Sequence, residues 1–384
     1  MKLIHTADVH LDRCFSGMGD AATFGNRRRQ SLRDAFHGIV TRAREWPADA
    51  LLIAGDLFEH DRVNRDTVAF LISEFKSIPD VRVFIAPGNH DPYVSDSPYA
   101  VEKWPENVTI FSSPEWTSHS VLDGALTVHG FAFDGPVILL SPFGSLQVPE
   151  GAREGVHVAV AHGSERDHQP PDKDEYAPFH ASEAAVDGLS YLALGHFHSM
   201  TQIKGDFDTT MYYSGSPEGH GFRDVGPRHY LEIEIEEGKA KVTPVVSSRT
   251  EYLTCTLSCE KFASSQDVTV ALRKLAQETE RPSIARVVLT GVCEARIVSE
   301  LGAVYDVAAP EFSALELLDR TAPVEDFADL AREDTSLGLF MRRLNQQIEE
   351  ASEPGRKQLL ERARELGVAA FRRRELDVPG LERR

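Results

Sequence analysis

Five times within its first 200 residues, the chain ends a short apolar run in a tight turn bearing Asp, Asn or His. The turns are Asp8-Val9-His10, Gly55-Asp56-Leu57-Phe58-Glu59, Gly88-Asn89-His90-Asp91, His162-Gly163 and Gly195-His196-Phe197-His198. The runs before them, 2–6, 50–54, 81–86, 157–161 and 191–194, read as strands. Open α/β sheets place their sites at the C-terminal ends of strands. One such turn is common in any chain. Five together, all in strand-end turns and all rich in oxygen and nitrogen donors, are not a chance pattern.

Helical stretches separate the first runs. Residues 27–46 read as a helix with Leu32, Phe36, Ile39, Val40 and Ala43 on one face, and 64–77 as another. Apolar runs of four to six residues between helices predict a layered α/β sheet. The runs at 108–111, 126–129, 137–140, 157–161 and 191–194 have less helix between them, so a second sheet packed on the first is expected. Polar, proline-rich 164–180 reads as a long surface loop. The pattern resets near 247–251. A strand at 252–256, a helix at 265–276 and a strand at 285–290 form a small α/β unit ending near Thr321. From Pro323 onward the chain turns helical, with Leu337, Phe340, Leu344 and Ile348 at helical spacing, a break at Glu353-Pro354-Gly355, then Leu359, Leu360, Ala363, Leu366 and Ala370. The expected domains are 1–248, 249–321 and 322–384. Residues 341–384 carry 11 basic and 8 acidic side chains, and read either as a hairpin on its own core or as a docking helix pair.

The whole chain has 60 acidic against 41 basic residues, a net charge of −19. A protein that coats DNA is usually basic, because affinity comes from neutralising phosphates. A phosphate-bearing substrate would therefore need local positive charge, and metal ions are the obvious supply. Cys14, Cys255, Cys259 and Cys293 are too few and too scattered for a disulfide scaffold. No run of 18 apolar residues occurs, and the chain opens on a strand-like segment. A reduced, cytoplasmic globular protein without a membrane span is expected.

Asp8, His10, Asp56, Asn89, His162, His196 and His198 offer two carboxylates, one amide oxygen and four imidazoles. That is too many donors for one tetrahedral zinc, and no thiolate is among them. Mixed carboxylate and imidazole donors suit Mn, Fe or Zn in a two-metal centre bridged by a shared carboxylate. In Asp-x-His and His-x-His, residues two apart on an extended segment point to the same side. Such a centre lowers the pKa of a bridging water to give hydroxide near neutral pH and neutralises a phosphoryl group. The leaving oxygen then needs a proton, and His90 is placed to assist, with Asp91 orienting His90 rather than binding metal.

The order of these motifs resembles the calcineurin-like metallophosphoesterase superfamily. Within it, HTADVHLD, LLIAGDLFE, VFIAPGNHDP, YLALGHFH and YYSGSPEGHGFRDVGPRHY resemble the SbcD/Mre-type DNA repair exonucleases, including their YhaO-like bacterial branch. The resemblance implies a four-layer α/β fold, two packed β-sheets flanked by helices, with a small α/β capping domain and a helical C-terminal region. It implies that Asp8, His10 and His198 hold one ion and Asn89, His162 and His196 the other, with Asp56 bridging. Two divalent ions, Mn2+ first and Fe2+ or Zn2+ next, are the implied cofactors. It further implies DNA ends or single strands as substrate, an SMC-like ATPase of the SbcC type docked on the C-terminal helices, and a homodimer. Glu59 departs from the family's Asp or His, which puts the presentation of a DNA end in question; His60 reads equally as its substitute or as a solvated loop histidine. Ser214-Gly215-Ser216-Pro217, Arg223 and Arg228 read equally as phosphate contacts or as a turn with solvated charges, whereas Arg27-Arg28-Arg29, opening a helix, reads as a solvated face in preference to a phosphate contact. The alternative function is a phosphodiesterase or phosphatase acting on a cyclic nucleotide, a nucleotide or a phospholipid headgroup.

Overall fold

A computed structural model describes residues 1–15, 21–149, 154–170, 174–323 and 327–371. Part of the expected loop at 164–180 and the tail at 372–384 lie outside the described residues. In chain order the first elements are β1 (Lys2–Thr6), α1 (Ala21–Glu45), β2 (Ala50–Ile53), α2 (Arg65–Lys76), β3 (Arg82–Ile85), α3 (Pro98–Val101) and β4 (Val108–Ile110). There follow β5 (Thr117–Val121), β6 (Leu126–Gly130), β7 (Val156–His162), α4 (Ala181–Ala184), β8 (Tyr191–Gly195), β9 (Thr201–Ile203), β10 (Thr210–Tyr213), β11 (His229–Glu236) and β12 (Lys239–Val246). They build two six-stranded sheets, β12-β11-β1-β2-β3-β4 and β5-β6-β7-β8-β10-β9. The central strands β1 to β4 run parallel, as do β6, β7, β8 and β10.

Side-chain alternation along the strands makes the layers. Ile4, Leu51, Ile53, Val83 and Ile85 meet Leu32, Phe36, Ile39 and Val40 of α1 and Leu71 and Phe75 of α2. Their neighbours Leu3, Leu52, Phe84 and Leu231 point the other way, onto Leu126, Val128, Val158, Val160 and Tyr191 of the second sheet. The far face of that sheet, with Ala159, Ala161, Leu192 and Leu194, packs on Phe143, Phe179 and Ala184. Two sheets face to face with helices outside are thus the expected layered fold. Helix α1 begins at Ala21, six residues before the expected start, and Asn64 caps α2 by accepting the Thr67 N–H at 3.0 Å. Residues 137–140, expected as a strand, form none. Leu139 and Leu140 are 75% and 82% exposed there, so an apolar run alone did not make a strand.

The remaining elements are β13 (Glu251–Ser258), α5 (Ser265–Gln277), β14 (Ser283–Thr290), β15 (Val292–Cys293), α6 (Ala295–Ser299), α7 (Leu301–Ala308), β16 (Ala314–Asp319), β17 (Ala322–Pro323), α8 (Phe327–Arg332), α9 (Ser336–Glu350) and α10 (Pro354–Phe371). The chain divides into two compact units. One holds residues 1–257, 266–289 and 302–319, including both large sheets and the three-stranded sheet β13-β14-β16. The other holds 258–265, 290–301 and the described residues from 320 on. The span 249–321 contributes to both. In the second unit, Leu330 of α8, Met341 of α9 and Val368 of α10 form a small core with Leu337 and Phe340. No described helix is long and apolar enough to cross a membrane.

Candidate metal centre

The strand-end turns come together in the first unit. The turns after β1 and β2 continue the strand pairing: Asp8 N–H donates to Gly55 O at 3.1 Å and His10 N–H to Asp56 O at 2.9 Å. The turn after β8 joins them through the His196 N–H, 3.1 Å from the Asp8 carboxylate oxygens. The turn after β3 joins through the His90 N–H, which donates to Asp56 Oδ1 at 2.9 Å. Four expected ligands sit at positive φ, Asp8 at 52°, His10 at 50°, Asp56 at 54° and His196 at 110°. Such conformations cost about 1–3 kcal/mol each and persist where surrounding structure imposes them. Gly55, at φ 83°, has no room for a side chain, because a Cβ would run into the His162 ring. At Gly88 a Cβ would meet the Asp56 carboxylate.

Asp56 lies at the centre. Asp8, Asp56 and His162 each bring one ligating atom within 4.8 Å of the others, and His10, Asp56 and His90 do the same. The His162 Nδ1–H donates to Ala54 O at 2.9 Å, which leaves Nε2 as the lone-pair nitrogen. That nitrogen is 3.4 Å from Asp56 Oδ2 and 2.9 Å from Asn89 Oδ1. Two acceptors at that separation repel unless a cation lies between them. An ion at about 2.1 Å from each, with the two at right angles, sets them about 3.0 Å apart. His10 Nδ1–H donates to Glu59 Oε1 at 2.9 Å, and the buried Nε2 has no hydrogen-bond partner and faces Asp56 Oδ2 at 3.6 Å. Burial pushes the His10 pKa below its usual value, against the pull of Glu59 and Asp56, so the ring is neutral as a ligand must be. His198 Nε2 faces Asp8 Oδ1 at 4.0 Å. The His196 Nε2–H donates to Asp174 O at 3.1 Å, leaving Nδ1 as the lone-pair nitrogen. All seven expected ligands are in one place, and their donor set fits divalent ions.

The family model for calcineurin-like phosphoesterases matches residues 1–200. The chain belongs to that family. The uncharacterized metallophosphoesterase YhaO of Bacillus subtilis is 27% identical over 247 residues, covering 62% of this chain and 58% of YhaO. The DNA double-strand break repair protein Mre11 of Methanopyrus kandleri is 24% identical over 254 residues, covering 63% of this chain and 52% of that protein. The chain thus spans about half the length of these curated relatives. A solved dimetal phosphatase from Danio rerio aligns with 65% of this chain and 98% of its own, at 10% identity and a TM-score of 0.41.

Several side chains of the phosphoesterase do other work than expected. Asp91 does not orient His90. Its buried carboxylate accepts the N–H groups of Asp56 at 2.9 Å, Leu57 at 2.7 Å and Gly88 at 2.7 Å, and the Tyr99 hydroxyl at 2.7 Å. It ties the second turn to the third. His90 is held instead by Glu59, with His90 Nδ1–H donating to Oε2 at 2.8 Å. Glu59 therefore spans His10 and His90, one oxygen to each. Burial pushes His90 down, but the Glu59 bond and the charges of Asp56 and Glu59 outweigh it and lift its pKa to about 9. The His60 backbone N–H donates to His90 O at 2.9 Å, but its side chain turns away, Nε2 facing Asp96 at 3.8 Å. Arg28 is buried, donating to Glu218 Oε1 and Gly219 O at 2.7 Å each, and Arg228 donates to the His198 carbonyl from a buried position. Neither can meet a phosphate. Ser214 and Ser216 are buried, with the Ser216 N–H on His198 O at 3.0 Å, so that turn braces the His198 loop.

A cavity of about 570 Å³ opens beside the centre, with His90, His198, His220, Arg13, His168 and Arg223 among its walls. His220 was not among the expected site residues. The signal was available: like most of the others it lies in a glycine-flanked turn that follows a strand, here β10.

Proposed function

We propose that this phosphoesterase is a DNA nuclease that hydrolyses phosphodiester bonds at a two-metal centre. The likeness to the Methanopyrus repair protein carries the choice of DNA, because it extends past the 200 residues shared with the family at large. When bound, the two ions supply Lewis acidity that activates water and neutralises phosphoryl charge. Asp8, His10 and His198 would hold one, Asn89, His162 and His196 the other, and Asp56 both. His90, on the cavity wall with Nδ1 fixed by Glu59, presents Nε2–H to a departing ester oxygen. Arg13 and Arg223 line the same cavity and supply positive charge there, in a chain that is −19 overall. Isolated, such a chain binds DNA weakly and in a strongly salt-dependent way. The same proposal includes an SMC-like ATPase on helices α9 and α10, a homodimer, and Mn2+, Fe2+ or Zn2+ as the ions.

The test is degradation of end-labelled linear duplex DNA with Mn2+, run beside bis-p-nitrophenyl phosphate and cyclic nucleotides, with His90→Ala as control. Loss of label that disappears in His90→Ala supports the nuclease. Hydrolysis confined to the cyclic nucleotides, unchanged when an ATPase partner is added, overturns it in favour of a small-molecule phosphodiesterase.

A further inference from the structure

His220 stands against the two histidines expected on the first ion. Its side chain is 1% exposed, and its Nε2 is buried without a hydrogen-bond partner. Its ring centre is 4.9 Å from that of His10 at an interplanar angle of 86°, and 4.9 Å from that of His198 at 85°. The His10 and His198 ring centres are 5.3 Å apart. One ligating atom from each of the three lies within 4.8 Å of the others.

These separations fit three imidazoles on one ion, as they also fit edge-to-face ring packing. With an ion–nitrogen distance of about 2.1 Å, a ring centre stands about 3.2 Å from the ion, and at angles of about 90–110° two rings are about 4.5–5.3 Å apart. The surroundings agree. Ligating histidines usually present their second nitrogen to a carboxylate. Glu59 does this for His10; Asp224 stands 3.5 Å from His198 Nδ1 and 3.7 Å from His220 Nδ1, and those two nitrogens lie 3.4 Å from each other. Asp224 also accepts the His220 backbone N–H at 2.9 Å, which fixes the turn that delivers the ring. Left without an ion, the buried Nε2 would carry the cost of an unmade hydrogen bond, about 1–3 kcal/mol.

We infer that His220 is a further ligand of the ion that Asp8, His10 and His198 hold. The inference rests on the two-metal reading of the centre. With Asp56 shared, that ion would have three imidazoles and two carboxylates, leaving one place of an octahedron for water or substrate. A third imidazole shifts preference away from Mn2+ and toward Fe2+, Co2+ or Zn2+.

Co2+ is the probe, titrated into the metal-free full chain with Mn2+ titrated in parallel, and followed by the visible absorption of Co2+ and by metal content per chain. His220→Ala should weaken binding of the tighter ion at least about 10-fold, the scale on which loss of even an outlying support acts. The absorption of that ion should change, and the ratio of Co2+ to Mn2+ affinity should fall, because Mn2+ depends less on imidazole. His220→Gln, which keeps a polar chain of similar length, carries the same test if the alanine variant does not fold, as judged by melting of the metal-free forms. A folded variant with the parent's spectrum, affinity and metal ratio overturns the inference. A parent that binds no Co2+ overturns the two-metal reading itself.

Discussion

Glu59 links two histidines of the centre, and a single-atom change there tests it most sharply. Its two oxygens accept one N–H from His10 at 2.9 Å and one from His90 at 2.8 Å. Glu59→Gln keeps the shape but turns one acceptor into an NH2 donor, so one of the two N–H groups faces another donor. A hydrogen bond to a charged group is worth about 1.5–3 kcal/mol, or about 10- to 150-fold in a rate or a binding constant. If the His90 bond is lost, kcat falls by that factor at saturating metal, because the proton donor is no longer fixed. If the His10 bond is lost, the proton moves to the nitrogen that faces Asp56 and metal affinity falls about 10- to 100-fold. Glu59→Ala removes both and should show both effects together. The assay is hydrolysis of bis-p-nitrophenyl phosphate over a metal series, fitted for kcat and for the half-activating concentration. Both quantities within twofold of the parent in both variants would refute the bridging role of Glu59.

Arg28→Met should cost about 3–5 kcal/mol in urea unfolding, because it leaves the fully buried Glu218 carboxylate, now 2.7 Å from Arg28, without its charged partner and held only by backbone N–H groups. Activity per folded molecule should hold; a loss of DNA binding with unchanged stability would contradict the structural role. His5 is buried, takes the Tyr191 hydroxyl on Nδ1 at 2.9 Å and gives its Nε2–H to Leu194 O at 3.1 Å, and burial holds its pKa down to about 3 from 6.5. The folded state therefore binds fewer protons than the unfolded one below 6.5, and stability drops as pH falls through the window from 6.5 to about 3. At about 1.4 kcal/mol per unit, this one group removes about 2 kcal/mol by pH 5, and the stability–pH slope of His5→Gln should be flatter by that amount. An unchanged slope would sink the assignment. Chelation should lower the melting temperature, since an ion at about 100 times its Kd adds about 2.7 kcal/mol. Equal melting with EDTA and with Mn2+ would argue against metal binding at these residues.

The seven expected ligands could be picked out because each is tied to a local signal. A buried apolar strand must end, the turn that ends it sits at a sheet edge, and a donor there has only that edge to face. The same logic recovered the helices: the 3.6-residue stripe on α1 and the capped ends of α2 are properties of contiguous sequence. The run at 137–140 misled because apolar character does not by itself supply a neighbour to pair with, and no adjacent strand offers one among the described residues.

Supporting groups are harder to read because they are assigned by geometry that spans distant segments. Asp91 follows His90 in the chain, so proximity suggested that it orients that ring. Yet an adjacent residue on a turn faces elsewhere, and three N–H groups converge on its carboxylate from two turns. The group that does reach His90 is 31 residues away, and it could be found only once β2 and β3 were side by side. The arginines make the same point from the other direction. Arg27, Arg28 and Arg29 are alike as text, but a helix turns each by about 100° from the last. One of the three consequently points inward, where Glu218, contributed from the far side of the sequence, makes its charge tolerable. Whether a charge is a phosphate contact or a strut is decided by which partner the fold brings to it, and that is a tertiary fact.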